Sequence, residues 1–161
     1  MAMAGTPSHR GLQLARLLAL GTPLALLAGA YLSQYGFGLF PCEMCWWQRY
    51  ALFAALVPAI AAFFVRGRVP IALAALAIAV SAAIGGFHAG VEYHWWEGLT
   101  ACTTTVTEGG NALDAIMNAP LVRCDHPAWT LFGVSLAGWN FLFSGAAALA
   151  IALLITRRRP A

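Results

Sequence analysis

The sequence predicts an all-α membrane protein with four transmembrane helices. Of its 161 residues, 61% are hydrophobic and 9% are charged, whereas ordinary soluble domains carry about 25% charged residues. All nine basic residues are arginine, and four long, mostly apolar stretches are free of Asp, Glu, Lys and Arg: 17–42, 50–65, 69–91 and 127–156. A soluble core of this length could not bury so much apolar surface, so we expect lipid to be its solvent.

Each stretch is long enough to cross a bilayer, the second only if it begins near Trp46 and so includes Arg49. A helix rises about 1.5 Å per residue, so a hydrocarbon core of roughly 30 Å takes about 20 residues. The predicted spans cover approximately residues 14–35, 46–65, 69–91 and 128–155. Two outer loops, 36–45 and 92–127, complete a single domain of residues 1–161.

The distribution of arginines predicts the orientation of these spans. Seven of the nine lie at one set of span ends, and only Arg49 and Arg123 lie at the other. Because cytoplasmic loops carry the excess of basic residues, we expect both termini in the cytoplasm and the long second loop outside. A cleavable signal peptide is a weaker alternative for the first stretch, because its apolar run exceeds the usual ~7–15 residues.

All four cysteines, Cys42, Cys45, Cys102 and Cys124, fall on the predicted outer side. Disulfides persist in that compartment, and four cysteines allow three pairings. Cys42 and Cys45 form a C-x-x-C, which closes too small a loop to add much stability, so its use is usually redox. A purely structural pair of disulfides and a zinc site completed by loop histidines stay open as alternatives.

Two ionisable residues are predicted to lie near the C-x-x-C. Arg49 follows Cys45 by four residues, which is roughly one helical turn. At roughly 6 Å and an effective dielectric near 20, it stabilises a thiolate at Cys45 by about 3 kcal/mol, and we expect it to outweigh the opposing charge of Glu43. His88 lies at a similar depth in the third stretch. An ionisable residue inside a membrane is a functional candidate. The alternatives are that Arg49 snorkels to the interface and that His88 is an interfacial histidine that faces lipid head groups.

These residues predict an electron acceptor within the lipid. Electrons that leave a C-x-x-C at the edge of a bilayer need an acceptor, and membrane quinones are dissolved in that bilayer. A cleft with an arginine, a histidine and aromatic side chains suits a quinone head group, because cations stabilise negative charge that develops on its oxygens.

The run PCEMCWWQRY at residues 41–50 resembles the P-C-x-x-C-x-x-x-R signature of the DsbB family of disulfide bond formation proteins. Four spans and a cysteine pair in each of two outer loops extend the resemblance over nearly the whole chain. It implies a thiol:quinone oxidoreductase of the bacterial inner membrane, with its cysteines on the periplasmic side. Such a protein reoxidises a soluble periplasmic DsbA-like thiol oxidase and passes the electrons to quinone.

The resemblance also implies a role for each cysteine pair. Cys102 and Cys124 match the loop pair that exchanges with the soluble partner, whereas Cys42 and Cys45 match the pair that delivers electrons to quinone. Two features depart from the family pattern. The spacing between the loop cysteines is short, and Glu43 stands where an apolar residue is expected.

The cofactor implied is ubiquinone or menaquinone. Arg49 matches the family's quinone-site arginine, and His88, fourteen residues before Cys102, matches a histidine near the quinone. Together with Cys45 they are the expected cofactor-binding residues. Membrane lipid is a further expected partner, and neither a metal nor a nucleic acid is expected.

Two other functions fit parts of the pattern. A quinone-linked enzyme of the vitamin K epoxide reductase type is also a four-helix membrane protein with a C-x-x-C, but that motif usually comes late in the chain, whereas here it follows the first span. A non-enzymatic membrane scaffold stapled by disulfides is the second alternative. It predicts that Cys45 and Arg49 are replaceable without loss of any turnover.

Several other features predict local structure. In the long loop, Leu113, Ile116 and Met117 follow a helical spacing behind Asn111, which predicts either a short amphipathic helix or an irregular loop with scattered apolar residues. Tryptophans near the outer span ends predict an aromatic belt. Asn140 in the fourth span predicts an interhelical hydrogen bond.

Overall fold

The computed structural model describes residues 9–99, 103–104 and 121–156. This part of the chain contains four helices: α1 (His9–Phe37), α2 (Glu43–Phe64), α3 (Val69–Glu92) and α4 (Leu136–Thr156). All four are long and apolar enough to cross a membrane, so the predicted four-helix membrane fold is confirmed. Cys102 and the amphipathic segment predicted from Leu113 to Met117 lie outside the described residues.

The helices form a bundle in which α3 packs against both α2 and α4. The first helix, α1, packs against α2 and α4 and touches α3 much less, so α1 and α3 occupy opposite corners. Small side chains let the helices approach closely. One buried hydrophobic cluster consists mainly of alanine and isoleucine, and it includes Ala15, Ala19, Ala55, Ala59, Ala62, Ala74, Ala148, Ile71, Ile78 and Ile151.

Two short antiparallel strand pairs shape the outer end of the bundle. Strand β1 (Thr103–Thr104) pairs with β2 (Leu121–Val122), so the chain that follows Cys102 lies beside the chain that precedes Cys124. Strand β3 (Thr130–Leu131) pairs with β4 (Val134–Ser135).

Because of the second strand pair, the fourth helix begins later in the sequence than predicted. A two-residue turn, Phe132-Gly133, joins β3 to β4 with φ of 51° and 77°, the left-handed conformation that tight hairpins require. The hydroxyl of Tyr93 ties this hairpin to α3, because it donates to the Gly133 carbonyl at 2.8 Å and accepts from the Ser135 N–H at 2.9 Å. The helix therefore begins at Leu136 rather than near residue 128.

The outer end of α3 is closed by its own following residues. The N–H of His94, at φ 60°, donates to the Val91 carbonyl at 3.0 Å, and the N–H of Trp95 donates to the Gly90 carbonyl at 2.8 Å. These two bonds form a Schellman motif. Trp96 then folds back, and its indole N–H donates to the Phe87 carbonyl at 2.9 Å. Trp96, predicted as part of an aromatic belt, thus also packs against α3.

Candidate redox site

The C-x-x-C forms the first turn of α2. Cys42 is the N-cap, and its sulfur accepts a hydrogen bond from the Cys45 N–H at 3.3 Å. The two sulfur atoms lie 2.9 Å apart. Glu43 occupies the first helical position and is exposed, where the helix dipole favours a carboxylate. The helix therefore begins three residues before the predicted position 46, because a capping cysteine replaces the usual Ser, Thr or Asp.

The second outer loop supplies another sulfur to the same place. Cys124 is 6% exposed and packs with Cys42, Met44 and Val91 in one buried cluster. The Cys42 thiol hydrogen-bonds to both Cys124 and Cys45, and these bonds, together with burial, raise the pKa of Cys42 well above its usual range. Cys42 is therefore the protonated member of the group, and any thiolate is expected on a neighbouring sulfur.

An ion pair lies beside Cys124 at the surface. The guanidinium of Arg123 donates from Nε to Oδ1 of Asp125 at 2.8 Å, and from Nη2 to Oδ2 of the same carboxylate. These charge-assisted bonds lower the pKa of Asp125 to about 2. The loop thus carries a fixed charge pair on either side of its buried cysteine.

His88 approaches the cysteines from α3. Its Nε2 atom lies 3.5 Å from the Cys42 sulfur and 3.7 Å from Oε1 of Glu92, one turn further along the helix. His88 is 2% exposed and Glu92 is 7% exposed. The second oxygen of Glu92 is buried and has no hydrogen-bond partner within the described part of the chain, which is an uncommon and costly state for a carboxylate.

A chain of polar side chains crosses the bundle behind His88. Gln48 Nε2 lies 3.0 Å from His88 Nδ1, and Gln48 Oε1 accepts from Asn140 Nδ2 at 2.8 Å. Asn140 in turn contacts Ser81 of α3 and accepts from the Ser144 hydroxyl at 3.0 Å. The interhelical hydrogen bond predicted for Asn140 is confirmed, and it links α4 to α2 and α3.

A cavity of about 250 Å³ lies between α1, α2 and α4. Its mostly apolar wall includes Cys45, Gln48 and Arg49 from α2 and Trp139 and Asn140 from α4. Within the described part of the chain, the buried indole N–H of Trp139 has no hydrogen-bond partner. The cavity therefore combines an apolar body with a few polar groups, as small-molecule sites do.

Arg49 is 5% exposed and is fixed by α1. Its Nη1 donates to Gln34 Oε1 at 2.6 Å, and its Nη2 donates to the Ala30 carbonyl at 3.1 Å. The guanidinium carbon lies 4.9 Å from the ring centre of Tyr31 and 5.0 Å from that of Trp46. This positive charge is thus held rigidly at the wall of the cavity that Cys45 also lines.

The structure brings together most of the predicted site residues. Cys42, Cys45 and Cys124 meet, and Arg49 shares a cavity with Cys45. His88 lies beside Cys42, separated from that cavity by Gln48, so its predicted quinone contact stays a prediction. Cys102 lies outside the described residues.

Sequence reasoning missed four residues of the site. They are Gln34, Gln48, Glu92 and Trp139. A signal existed for Gln48, which is a polar residue inside an apolar stretch next to Arg49, and for Glu92, which follows His88 by one helical turn. A signal also existed for Trp139, which lies well inside the predicted span 128–155, whereas the other five tryptophans lie near outer span ends.

Three side chains of the site, those of Cys42, Cys45 and His88, lie close enough together to contact one metal ion. Within the described residues, the ligand atoms of Cys42, Cys45 and His88 all lie within 4.8 Å of one another. The zinc alternative raised by the sequence took its histidine from the second outer loop, whereas here the histidine comes from α3. Structural zinc usually takes four such ligands, so three side chains alone do not complete one.

Comparisons with known proteins show which family the chain resembles. The family described as Disulfide bond formation protein DsbB matches residues 12–154. A curated Disulfide bond formation protein B from Polaromonas sp. (strain JS666 / ATCC BAA-500) is 31% identical, with 83% of this chain and 84% of that protein covered. No solved structure matches the chain. With a family match over nearly all of its length, this four-helix membrane thiol oxidoreductase belongs to the DsbB family of disulfide bond formation proteins.

Proposed function

We propose that the chain reoxidises a soluble DsbA-like dithiol oxidase in the bacterial periplasm and passes the electrons to membrane quinone. One arrangement carries this proposal. Cys42 contacts Cys124 of the outer loop, while Cys45, one turn along, lines the cavity beside Arg49. The first cysteine pair thus connects the loop to the interior of the bundle, as an electron relay requires.

The relay begins at the loop pair. A thiolate of the partner attacks the Cys102–Cys124 disulfide, forms a mixed disulfide with Cys102, and releases Cys124 as a thiolate. The burial of Cys124 favours this order, because a 6% exposed sulfur is poorly accessible to a soluble protein. The partner's second thiolate later attacks the mixed disulfide and leaves with its own disulfide formed.

The released Cys124 then exchanges with the first pair. Its thiolate attacks the sulfur of Cys42 in the Cys42–Cys45 disulfide, a Cys124–Cys42 bond forms, and Cys45 leaves as a thiolate. After the partner has left, the Cys102 thiolate attacks Cys124 in the Cys124–Cys42 bond, re-forms the loop disulfide and releases Cys42. The two electrons taken from the partner's thiols then reside on Cys42 and Cys45, which re-form their disulfide when quinone is reduced. Arg49 and the N-terminus of α2 both stabilise negative charge at Cys45, which directs the electrons to the cavity.

The cavity fits a quinone head group by the chemistry of its donors. Arg49 is a fixed cation, and the buried indole N–H of Trp139 has no partner among the described residues, so two donors are available for carbonyl oxygens. A second, apolar cavity of about 420 Å³ shares Gly29, Ser33 and Leu136 with the first and extends toward the outer end of α1 at Phe37. Quinone, when bound, takes up two electrons and two protons and becomes hydroquinone.

The orientation of the helices across the membrane also supports the proposal. The excess of arginines at one set of helix ends favours a cytoplasmic location for both termini and for the short turn between α2 and α3. In this orientation the periplasmic end of α2 carries Cys42 and Cys45, and the second periplasmic loop carries Cys124. An oxidising soluble partner is found in the same compartment.

Anaerobic turnover tests the proposal directly. Purified protein in detergent is mixed with a reduced DsbA-like protein and a soluble quinone, and quinone absorbance is followed. We expect reduction by the wild type and none by Cys45→Ala, because that substitution removes the final electron donor. The exposed substitution Gln13→Ala, at the opposite end of α1, is the matched control and should turn over like the wild type.

The possible results separate the candidate functions. Quinone reduction that survives in Cys45→Ala would contradict the assigned donor. A wild-type protein that neither reduces quinone nor oxidises a verified partner would contradict the relay, and a disulfide-stapled scaffold would then be the better account.

A further inference from the structure

We propose that Gln48 and Asn140 are positioning residues that hold His88 in one neutral tautomer, with its ring proton on Nε2, so that His88 donates a hydrogen bond to the sulfur of Cys42. This deepens the proposed function and rests on it only for the redox role of Cys42. The tautomer itself follows from the hydrogen-bond network and is testable without quinone.

The orientation of the Asn140 amide is fixed at its own end of the network. Its nitrogen lies 3.2 Å from the backbone carbonyl oxygen of Ser81, and a carbonyl oxygen can only accept a hydrogen bond. Its oxygen accepts from the Ser144 hydroxyl at 3.0 Å. The atom that faces Gln48 at 2.8 Å is therefore an N–H donor.

The orientation of the Gln48 amide is fixed twice over. Its Oε1 must accept from Asn140, and its Nε2 lies 3.2 Å from the Met44 backbone carbonyl, which again requires a donor. A flipped amide would set oxygen against oxygen at Met44 and nitrogen against nitrogen at Asn140. The same Nε2 lies 3.0 Å from Nδ1 of His88, so Gln48 donates to His88.

The ring of His88 must therefore accept at Nδ1. A neutral imidazole carries one N–H and one lone pair, so the proton resides on Nε2, an assignment made from the partners rather than from a visible hydrogen. Nε2 faces the sulfur of Cys42 at 3.5 Å and Oε1 of Glu92 at 3.7 Å. Both are acceptors, and the network is satisfied without protonating the ring a second time.

This assignment gives His88 a defined chemical role. When the bond from Cys42 to Cys124 or to Cys45 breaks and Cys42 takes the electron pair, negative charge develops on its sulfur. The Nε2–H then stabilises that charge, and no proton leaves the ring. When Cys42 is in a disulfide, the same N–H can turn to the Glu92 carboxylate.

The charged and titratable groups around His88 come from three elements. Cys42 and Cys45 approach from α2, Cys124 approaches from the outer loop, and Glu92 lies on α3 itself. None of them competes for Nδ1, which Gln48 occupies. A nitrogen that carries a proton also cannot bind a metal, so the same network disfavours His88 as a ligand in the Cys42, Cys45 and His88 group.

Nitrogen NMR of the full-length protein tests the assignment. Protein with ¹⁵N-labelled histidine is prepared in detergent with the cysteines reduced, and the His88 signal is identified by its loss in His88→Gln. We expect the long-range proton–nitrogen pattern of the Nε2–H tautomer across neutral pH. A wild-type ring with its proton on Nδ1, or one that exchanges freely between both forms, would overturn the proposal whether or not any variant folds.

Gln48→Glu supplies the sharper comparison. It replaces the donor at Nδ1 with a carboxylate acceptor of the same shape, so the proton should move to Nδ1 and leave a lone pair on Nε2. Gln13→Glu makes the same chemical change at an exposed position of α1 and should leave the His88 signals unchanged. An unchanged tautomer in folded Gln48→Glu protein would contradict the role given to Gln48.

Thiol reactivity provides a second measurement. In protein whose other three cysteines are alanine, the rate of Cys42 alkylation is followed against pH. In Gln48→Glu the free Nε2 can take the thiol proton and form an imidazolium beside the thiolate, so we expect the midpoint to fall by about one pH unit or more. Identical profiles would show that His88 does not act on Cys42 through its tautomer.

Discussion

Cys124 of the long outer loop packs against Cys42 at the start of α2. The two residues are far apart in the sequence and belong to different loops, yet their sulfurs share one buried cluster with Met44 and Val91. Exchange between the two cysteine pairs therefore requires no large movement of the loop.

This contact predicts which inter-loop disulfide forms. In a Cys45→Ser, Cys102→Ser protein, Cys42 and Cys124 are left as neighbours, and mild oxidation should join them rapidly. Mass spectrometry of peptides digested without reduction measures the product.

The matched comparison leaves Cys45 and Cys124 instead. In Cys42→Ser, Cys102→Ser protein we expect slower bond formation, because Cys124 and Cys42 share one buried cluster, whereas Cys45 is only partly buried and packs against that cluster. Equal rates in the two proteins would mean that the loop does not favour Cys42.

The protonation of Cys42 predicts a pH dependence. Hydrogen bonds to Cys124 and Cys45, with burial, raise the pKa of Cys42 above its ordinary value of 9.0. Below pH 9.0 Cys42 is protonated in both the folded and the unfolded chain, so its interactions make their full contribution to the free energy of unfolding. Above it only the unfolded chain loses the proton, so stability falls as pH rises. In the reduced protein, iodoacetamide should therefore label Cys42 slowly even at pH 9.

Removal of Cys124 tests the cause of this shift. Cys124→Ala removes the neighbour that does most to raise the pKa of Cys42, so the pKa should fall and the pH midpoint of labelling should move down. Val91→Ala opens the same cluster without removing a sulfur and controls for access. If both variants shift the profile equally, exposure rather than hydrogen bonding sets the reactivity.

The sequence predicted the parts of the site that depend on local spacing. The apolar stretches predicted four helices, and the C-x-x-C with Arg49 four residues later predicted a thiol pair one turn from a cation. Pairings between helices were not predictable in the same way. Asn140 contacts Gln48 across 92 positions of sequence, and no periodicity within either helix specifies that partner.

The sequence also did not predict which glycine allows two helices to pack closely. A Cβ on Gly85 would lie 3.0 Å from both the Ala137 carbonyl oxygen and the Asn140 amide nitrogen. Gly85 therefore allows α3 and α4 to approach closely enough for Asn140 to reach its partners. Such a requirement depends on the relative placement of two helices, which only the folded chain defines.

Arg49 and Trp139 predict how quinone binding responds to substitution. Arg49→Lys loses the paired bonds to α1 and the stacking between Tyr31 and Trp46, because an ammonium cannot reproduce a planar guanidinium. We expect the KM for a soluble quinone to rise about tenfold or more, since hydrogen bonds to charged groups contribute about 1.5–3 kcal/mol. Trp139→Phe keeps the ring and removes only the N–H, so a smaller rise is expected.

Steady-state quinone reduction measures both effects. Trp95→Phe, in which a 70% exposed indole is replaced, is the control for general loss of a tryptophan. A KM that is unchanged in both Arg49→Lys and Trp139→Phe would place the quinone elsewhere on the protein.

The contact between Gly90 and Trp96 predicts a loss of stability. A Cβ on Gly90 would lie 2.0 Å from the Trp96 ring, so Gly90→Ala must displace the indole and break its hydrogen bond to the Phe87 carbonyl. Overpacking of this kind costs about 1–3 kcal/mol, and it should lower the thermal unfolding midpoint in detergent. Gly21→Ala, where an added Cβ meets nothing within 4 Å, should be neutral or slightly stabilising. Because Trp96 closes the end of α3 that carries His88 and Glu92, a Gly90→Ala protein as stable as Gly21→Ala would mean that this closure contributes little to holding the site.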